Sequence, residues 1–260
     1  MNLVKSFIIA LSLYSTIPVP QFKWEDKDMR FMMCFFPIIG AIIGGVLFLW
    51  NYICGIFNIG DICYSFVGTA IPLIITGGFH VDGFMDTMDA FHSYKPKEKK
   101  LEILKDSHIG AFSVIMLALY GIIYIGAFSE IKDSKLLYIV CYGFFLSRCL
   151  SGISVVTFKS AKKDGLLYQF ANSSDKRIVK LSLILQTIAC IVLMILQSPL
   201  SGVLIALTAI LTFIYYYYRT KKELDGITGD TAGYFLLICE IGMIIVAALI
   251  NVYTKYTGGL

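Results

Sequence analysis

Seven stretches of this 260-residue chain, at about 31–57, 62–79, 109–129, 136–157, 178–197, 200–218 and 231–253, are apolar over nearly the length that crosses a bilayer. That recurrence fixes the solvent. About 20 residues of helix, rising about 1.5 Å each, cover a hydrocarbon core. Backbone amides in lipid must find their partners within the protein, which favours helices. The expected fold is therefore all-α, a polytopic integral membrane helix bundle of about seven spans. Composition supports this, with 57% hydrophobic and 15% charged residues and a mean hydropathy of +0.76, outside the range of ordinary soluble domains. No linker is long enough to divide the chain, so residues 1–260 are expected to form a single transmembrane domain.

Residues 1–20, MNLVKSFIIALSLYSTIPVP, start with a charge and continue apolar, as a signal peptide does. No small-residue cleavage site precedes Gln21, so cleavage is not expected. The apolar part is short, carries Ser12, Ser15 and Thr16, and ends in Pro18 and Pro20. An interfacial or re-entrant helix is expected there.

Charge is distributed unevenly between the loops. Those at 22–30, 81–108, 158–177 and 219–230 hold sixteen Lys and Arg residues, whereas the alternate loops and the C-terminus hold Lys132, Lys135 and Lys255. By the positive-inside rule the basic side is cytoplasmic, which makes this a multi-pass cell-membrane protein with the lipid bilayer as its first partner. Tyr215 to Tyr218, followed by Arg219, suit an aromatic belt at that interface. The net charge of +4 comes from these loops and from no basic helix face, so nucleic acid is not an expected partner. Seven cysteines at 34, 54, 63, 141, 149, 190 and 239 form no CxxC pair and sit mostly in apolar runs. They read as small buried hydrophobes.

One stretch breaks the apolar pattern: TGGFHVDGFMDTMDAFHSYKPKEKKLEILKDSHIGAF, Thr76 to Phe112. Asp82, Asp86 and Asp89 fall at i, i+4 and i+7, on one face of a helix. Asp106 follows across a lysine-rich loop. Like charges at that spacing repel unless a cation or a proton relieves them. Hard oxygen ligands suit Mg2+ or Mn2+, which bind a few carboxylates and keep waters for a substrate phosphate. A solvated acidic loop is the plainer alternative. Gly77, Gly78 and Gly83 loosen the backbone around these acids, and Lys105, beside Asp106, could place positive charge on a phosphate. His80, His92 and His108 are the only histidines and all lie in this stretch. With no cysteine and no paired-histidine spacing, zinc is disfavoured, and His80 is a candidate general base or phosphate contact.

Two further features accompany it. LDGITGDTAG, residues 224–233, sets Asp225 and Asp230 around Gly226 and Gly229, with Thr228 and Thr231 supplying hydroxyls. This pattern starts a helix, and a helix N-terminus also receives phosphate. Arg148 and Glu240 lie inside spans, each nine residues from the basic end and so about 13 Å deep. Charges in lipid are costly unless paired or lining a polar cavity. A pair, or a shared pocket floor below the acidic site, is expected; snorkelling or a protonated Glu240 is the alternative.

At these residues the chain resembles the cobalamin synthase family, the adenosylcobinamide-GDP ribazoletransferases. The likeness runs through LSLYSTIPVP, GGFHVDGFMDTMDAF, ILKDSHIGAF, SRCLSG and ITGDTAG with the downstream Glu240. The resemblance implies a transferase of cobalamin biosynthesis that joins adenosylcobinamide-GDP to α-ribazole or its 5'-phosphate, releases GMP and uses Mg2+ on the cytoplasmic side. On that reading Asp82, Asp86, Asp89 and Asp106 would hold the metal, with Asp230 as a further ligand. Lys105 and Arg148 would take phosphate oxygens, and His80 or an acid would accept the hydroxyl proton. Glu240 joins the catalytic candidates; Gly77, Gly78, Gly83, Thr228 and Gly229 are the backbone and hydroxyl contacts to a bound group. A homo-oligomer or a complex with other corrinoid enzymes belongs to the same set of expectations. Two rival functions differ in class. A CDP-alcohol phosphotransferase would need an arginine after the DG step, where this chain reads Asp82-Gly83-Phe84-Met85-Asp86, and a transporter would be expected to carry inverted repeats, which the sequence lacks.

Overall fold

The computed structural model describes residues 3–132 and 134–258. Among the described residues six helices are long and apolar enough to cross a membrane: α2 (Phe36–Phe57), α6 (Ala111–Ser129), α7 (Ser134–Thr157), α9 (Lys176–Gln197), α10 (Pro199–Leu224) and α11 (Gly229–Thr257). A seventh span is counted if α3 (Asp61–Thr76) and α4 (Phe79–His92) are taken as one, although they meet at 95°. Shorter helices are α1 (Leu3–Tyr14), α5 (Lys97–Ile103) and α8 (Leu166–Ser173). Among the described residues the only β-type pairing is an isolated parallel bridge between Ser160 and Ile227. The chain is a polytopic membrane helix bundle, as its apolar pattern requires.

The span expected at 62–79 is where sequence and structure part. Gly77 and Gly78 take φ of +63° and +77°, and the Gly78 N–H returns to the Leu73 carbonyl at 3.1 Å. That left-handed pair closes α3 after 16 residues and turns the acidic segment sideways as α4. With 12 residues, α1 reaches about 18 Å, too short to span. It ends beside the bend, where Thr16 donates its N–H to Ile75 O at 2.8 Å and its hydroxyl to Ile74 O at 2.9 Å.

At the centre stands α7. Its apolar window is 78% buried, against 17% for α6 and 22% for α9, so α7 faces protein while α6 and α9 face lipid. This explains how α7 carries Ser147, Arg148, Ser151 and Ser154 as buried polar residues: Ser147 and Arg148 meet Glu240 of α11, and Ser147, Arg148 and Ser154 bond carbonyls of α7 itself, away from hydrocarbon. Ile122, Leu185 and Leu196 on the outer helices stay exposed to the lipid solvent.

All four basic loops meet at one end of the bundle. Arg30 pairs with Asp175, Lys97 and Lys159 with Asp225, Lys100 with Glu223, and Lys105 with Asp164. The opposite end carries Lys132 with Asp61 and Lys255 with Glu130.

Candidate active site

Three segments converge at the basic end. The first is α4, whose glycine at 83 lies directly on the start of α11: a Cβ there would come within 2.8 Å of Asp230 Cα and O. The second is the start of α11, capped reciprocally. Thr228 Oγ1 accepts the Thr231 N–H at 3.2 Å, and Thr231 Oγ1 accepts the Thr228 N–H at 2.8 Å. This box fixes the first turn and leaves Asp230 at its lip, where its Oδ2 accepts from the Thr228 hydroxyl at 3.3 Å. The third is the loop after α7. Ala161 donates to Ile227 O and Ile227 to Lys159 O, each at 2.8 Å, which zips the loop to the turn before α11.

Between them lies a cleft of about 260 Å³ lined by Asp82, Gly83, Lys162, Thr228, Gly229 and Asp230 among others. Lys162 is 16% exposed, 4.0 Å from Asp230 Oδ2, and donates to Leu104 O at 3.4 Å. Burial pulls its ammonium below the ordinary lysine value, while the charge of Asp230 works in the other direction. Asp86 is half-buried behind Asp82 and feels the negative charge of Asp82, Asp230 and Asp89 and the positive charge of Lys162. The cleft is thus rich in carboxylate and short of cations. In the sequence Lys162 counts only as one of the sixteen basic residues of the loops.

The five-carboxylate ligand set expected from the sequence is not gathered as one group. Asp89 is spent on structure, its two oxygens accepting the Gly110 N–H at 2.8 Å and the Ser113 N–H at 2.9 Å at the start of α6. Asp106 turns back on His108, accepting its N–H at 3.0 Å and meeting its Nδ1 at 2.6 Å; those bonds hold its carboxyl below the usual range. Among the described residues no group of three or more His, Cys, Asp or Glu is placed to hold a metal by itself. Asp82, Asp86 and Asp230 are near enough to feel one another's charge. Carboxylates in that number suit Mg2+ of the kind that takes one or two protein oxygens and completes its shell with water and phosphate.

Other candidates separate by direction. Two residues along a helix is about 200°, so His80 points away from Asp82. It is 5% exposed, stacked on Tyr14 at 6.0 Å and edge-on to Phe36 and Phe79. Lys105 bonds Asp164 at 3.0 Å on the outer rim. Gly77 and Gly78 shape the α3–α4 bend, whereas Gly229 faces open space. Arg148 and Glu240 do pair, at 2.5 Å and with exposures of 1% and 5%. Ser147 also donates to Glu240 Oε1 at 2.9 Å, and Arg148 to Phe144 O at 2.9 Å. The pair is sealed in the core beneath the cleft and lines none of it, so the expectation that Arg148 takes a phosphate oxygen gives way to a structural ion pair.

With this geometry in place, residues 6–248 match the model of the CobS family, described as cobalamin-5-phosphate synthase. The chain belongs to that family. A relative from Lachnoclostridium phytofermentans, named adenosylcobinamide-GDP ribazoletransferase, is 44% identical over 250 residues, covering 95% of each chain. One of the same name from Clostridium botulinum (strain Alaska E43) is 36% identical, covering 92% of this chain and 95% of its own. A third, from Treponema denticola, is 34% identical over 96% of this chain and all of its own. No solved structure matches. In this member of the cobalamin-5-phosphate synthase family, the cleft draws on FHVDGFMDTMDAF and ITGDTAG, two of the motifs that carried the sequence resemblance.

Proposed function

We propose that the protein joins adenosylcobinamide-GDP to α-ribazole, or its 5'-phosphate, with release of GMP, and that the cleft between α4, the start of α11 and the 158–165 loop is where this occurs. The observation that carries the reading is the excess of carboxylate in that cleft, in a chain of this family. In the reaction a ribose hydroxyl oxygen attacks the phosphorus attached to the corrinoid side chain. A new P–O bond forms, the P–O bond to GMP breaks, and the hydroxyl proton passes to a base. Asp82 and Asp230 line the cleft and are the candidate bases; His80 lies outside it. Lys162 and the free N–H groups at the start of α11 favour the phosphates electrostatically.

One or two carboxylates from among Asp82, Asp86 and Asp230 would hold Mg2+, with water and phosphate completing its shell. Bound there, the ion would offset diphosphate charge and the charge developing on GMP. The cleft faces the cytoplasm in this proposal, on the strength of the sixteen basic residues in the loops around it and the positive-inside rule.

The matching relatives described above are neither phospholipid phosphotransferases nor transporters, so nothing favours those rivals. The test is to incubate membranes carrying the protein with adenosylcobinamide-GDP, α-ribazole and Mg2+, and to measure GMP. Release that depends on both substrates and stops on chelation is expected. No GMP from folded protein overturns the proposal.

A further inference from the structure

A second, apolar pocket adjoins the carboxylate cleft. Phe79, Leu166, Leu167 and Gly229 line both cavities, so the two share a mouth. On its inner side lie Tyr14, Met33, Phe36, His80 and Phe170. Its free volume is about 50 Å³, room for the leading edge of a flat ring. The remainder of such a ring would rest on Phe79 and Leu166, which are 48% and 52% exposed at the mouth. Large apolar side chains left half bare at the rim of a polar cleft are a surface for an apolar partner.

Three polar side chains interrupt this lining, Tyr14, Ser151 and His80, and the Tyr14 hydroxyl is turned to Met33 Sδ at 3.9 Å. His80 is 5% exposed, and among the described residues its Nε2 has no hydrogen-bond partner. An unpaired buried imidazole nitrogen costs stability, and native structures pair the great majority of such atoms. The neighbouring rings of Tyr14, Phe36 and Phe79 hold the imidazole in place and offer it no partner.

We propose that this pocket is the nucleobase subsite, taking the benzimidazole of α-ribazole edge-first with His80 donating a hydrogen bond to the free ring nitrogen. The inference rests on the ribazole-transfer reading above. Its chemistry matches feature by feature. The base is bicyclic, aromatic and apolar except for one ring nitrogen that accepts, and the pocket is largely aromatic and apolar, with the His80 ring nitrogen as its buried polar atom without a partner among the described residues. With the base seated, the ribose lies at the shared mouth and its hydroxyls face Asp82 and Asp230. His80 then acts in recognition, and the proton acceptor is a carboxylate.

The experiment uses the full-length protein in membranes and measures GMP release against nucleoside concentration. Two nucleosides are compared: α-ribazole and the isosteric indole riboside, in which C–H replaces the free ring nitrogen. Wild type should show a KM roughly tenfold higher for the indole compound, the worth of one hydrogen bond. In His80→Phe the two KM values should converge by a rise in that for α-ribazole, with KM for the corrinoid substrate unmoved. A preserved tenfold preference in His80→Phe overturns the subsite, as does a loss that falls on the corrinoid KM. Should His80→Phe not fold, Phe79→Ala is expected to raise KM for both nucleosides alike. Unchanged KM values in Phe79→Ala, the result if a lipid tail occupies the pocket, overturn the proposal. Absence of GMP release from wild type with either nucleoside would instead sink the transferase reading, a result distinct from any variant effect.

Discussion

Arg148 and Glu240 meet inside the bundle with each other's charge, whereas Asp82, Asp86 and Asp230 gather at its end with Lys162 as the cation that lines their cleft. In the first arrangement the charges compensate each other: one guanidinium nitrogen finds Glu240, the Phe144 carbonyl and the Ser147 hydroxyl, although Nε has no partner among the described residues. The second holds more acid than base, with Lys162 reaching Asp230 at 4.0 Å, whereas several acids elsewhere are closely paired. Asp164, Asp175, Asp225 and Glu223 each have a basic partner. A protein that compensates charge at depth and leaves acid in excess at a solvent-facing cleft is holding potential for a ligand, and stability and activity should respond to the two places in opposite ways.

The largest effect should follow neutralising the cleft. Asp82→Asn with Asp86→Asn is expected to lower the rate of GMP release by at least about a thousandfold, the scale of losing key electrostatic groups. The melting temperature in detergent should hold or rise, because like-charge repulsion is relieved. Retained activity would break the comparison at its first term, and a melting temperature that drops by many degrees would place these acids in the framework instead.

The buried pair should behave in reverse. Arg148→Met leaves Glu240 uncompensated and is expected to cost about 3–5 kcal/mol of stability, as removing one partner of a buried pair does. Adding Glu240→Leu should restore much of that loss, since two apolar side chains can replace a buried pair at little cost. Thermal unfolding of the two single variants and the double variant measures the coupling. If the double variant is as unstable as Arg148→Met, the ion pair is not what the position needs.

How much of this was legible in the sequence follows from the range of each interaction. Spans were readable because lipid imposes one rule on every residue of a long segment; α6, α7, α9, α10 and α11 begin and end within a few residues of the apolar runs, α10 running on past its run to Leu224. The Arg148–Glu240 contact followed from depth alone. The bend at Gly77-Gly78 was missed because a Gly pair in an apolar run signals looseness without direction. Asp89 fitted the helical spacing of Asp82 and Asp86, but its partners, Gly110 and Ser113, lie 21 and 24 residues on, and spacing within one helix cannot reveal a cap donated to the next. Lys162 was hidden for the same reason: the bridge that lifts it into the cleft joins Ser160 to Ile227, far apart in the chain.

Between these extremes stands the contact that sets the cleft's width. Gly83→Ala places a methyl group 2.8 Å from the Asp230 backbone, so α4 and α11 must separate. Overpacking of this kind costs about 1–3 kcal/mol. Because the two walls carry Asp82 and Asp230, activity should fall further than stability predicts. A variant that loses stability but keeps its full rate at a temperature where it is folded would detach the α4–α11 spacing from function.

The subtlest test concerns the one cation in the cleft. Burial holds the Lys162 ammonium below its ordinary value, so it gives up its proton at a lower pH than a free lysine. If its charge receives phosphate, kcat/KM should fall on the alkaline side as Lys162 deprotonates. A bound diphosphate favours the charged form, so the matching fall in kcat should come at higher pH. Lys162→Arg keeps its charge across this range and should move the alkaline limb of kcat/KM upward, whatever it does to the rate at neutral pH. Lys162→Met should lower kcat/KM in the pH range where the wild-type ammonium is charged, and remove the limb. If the limb stays in place in both variants, the titrating group is another residue, and the cleft draws its phosphate affinity from the start of α11 and from the ion its carboxylates would hold.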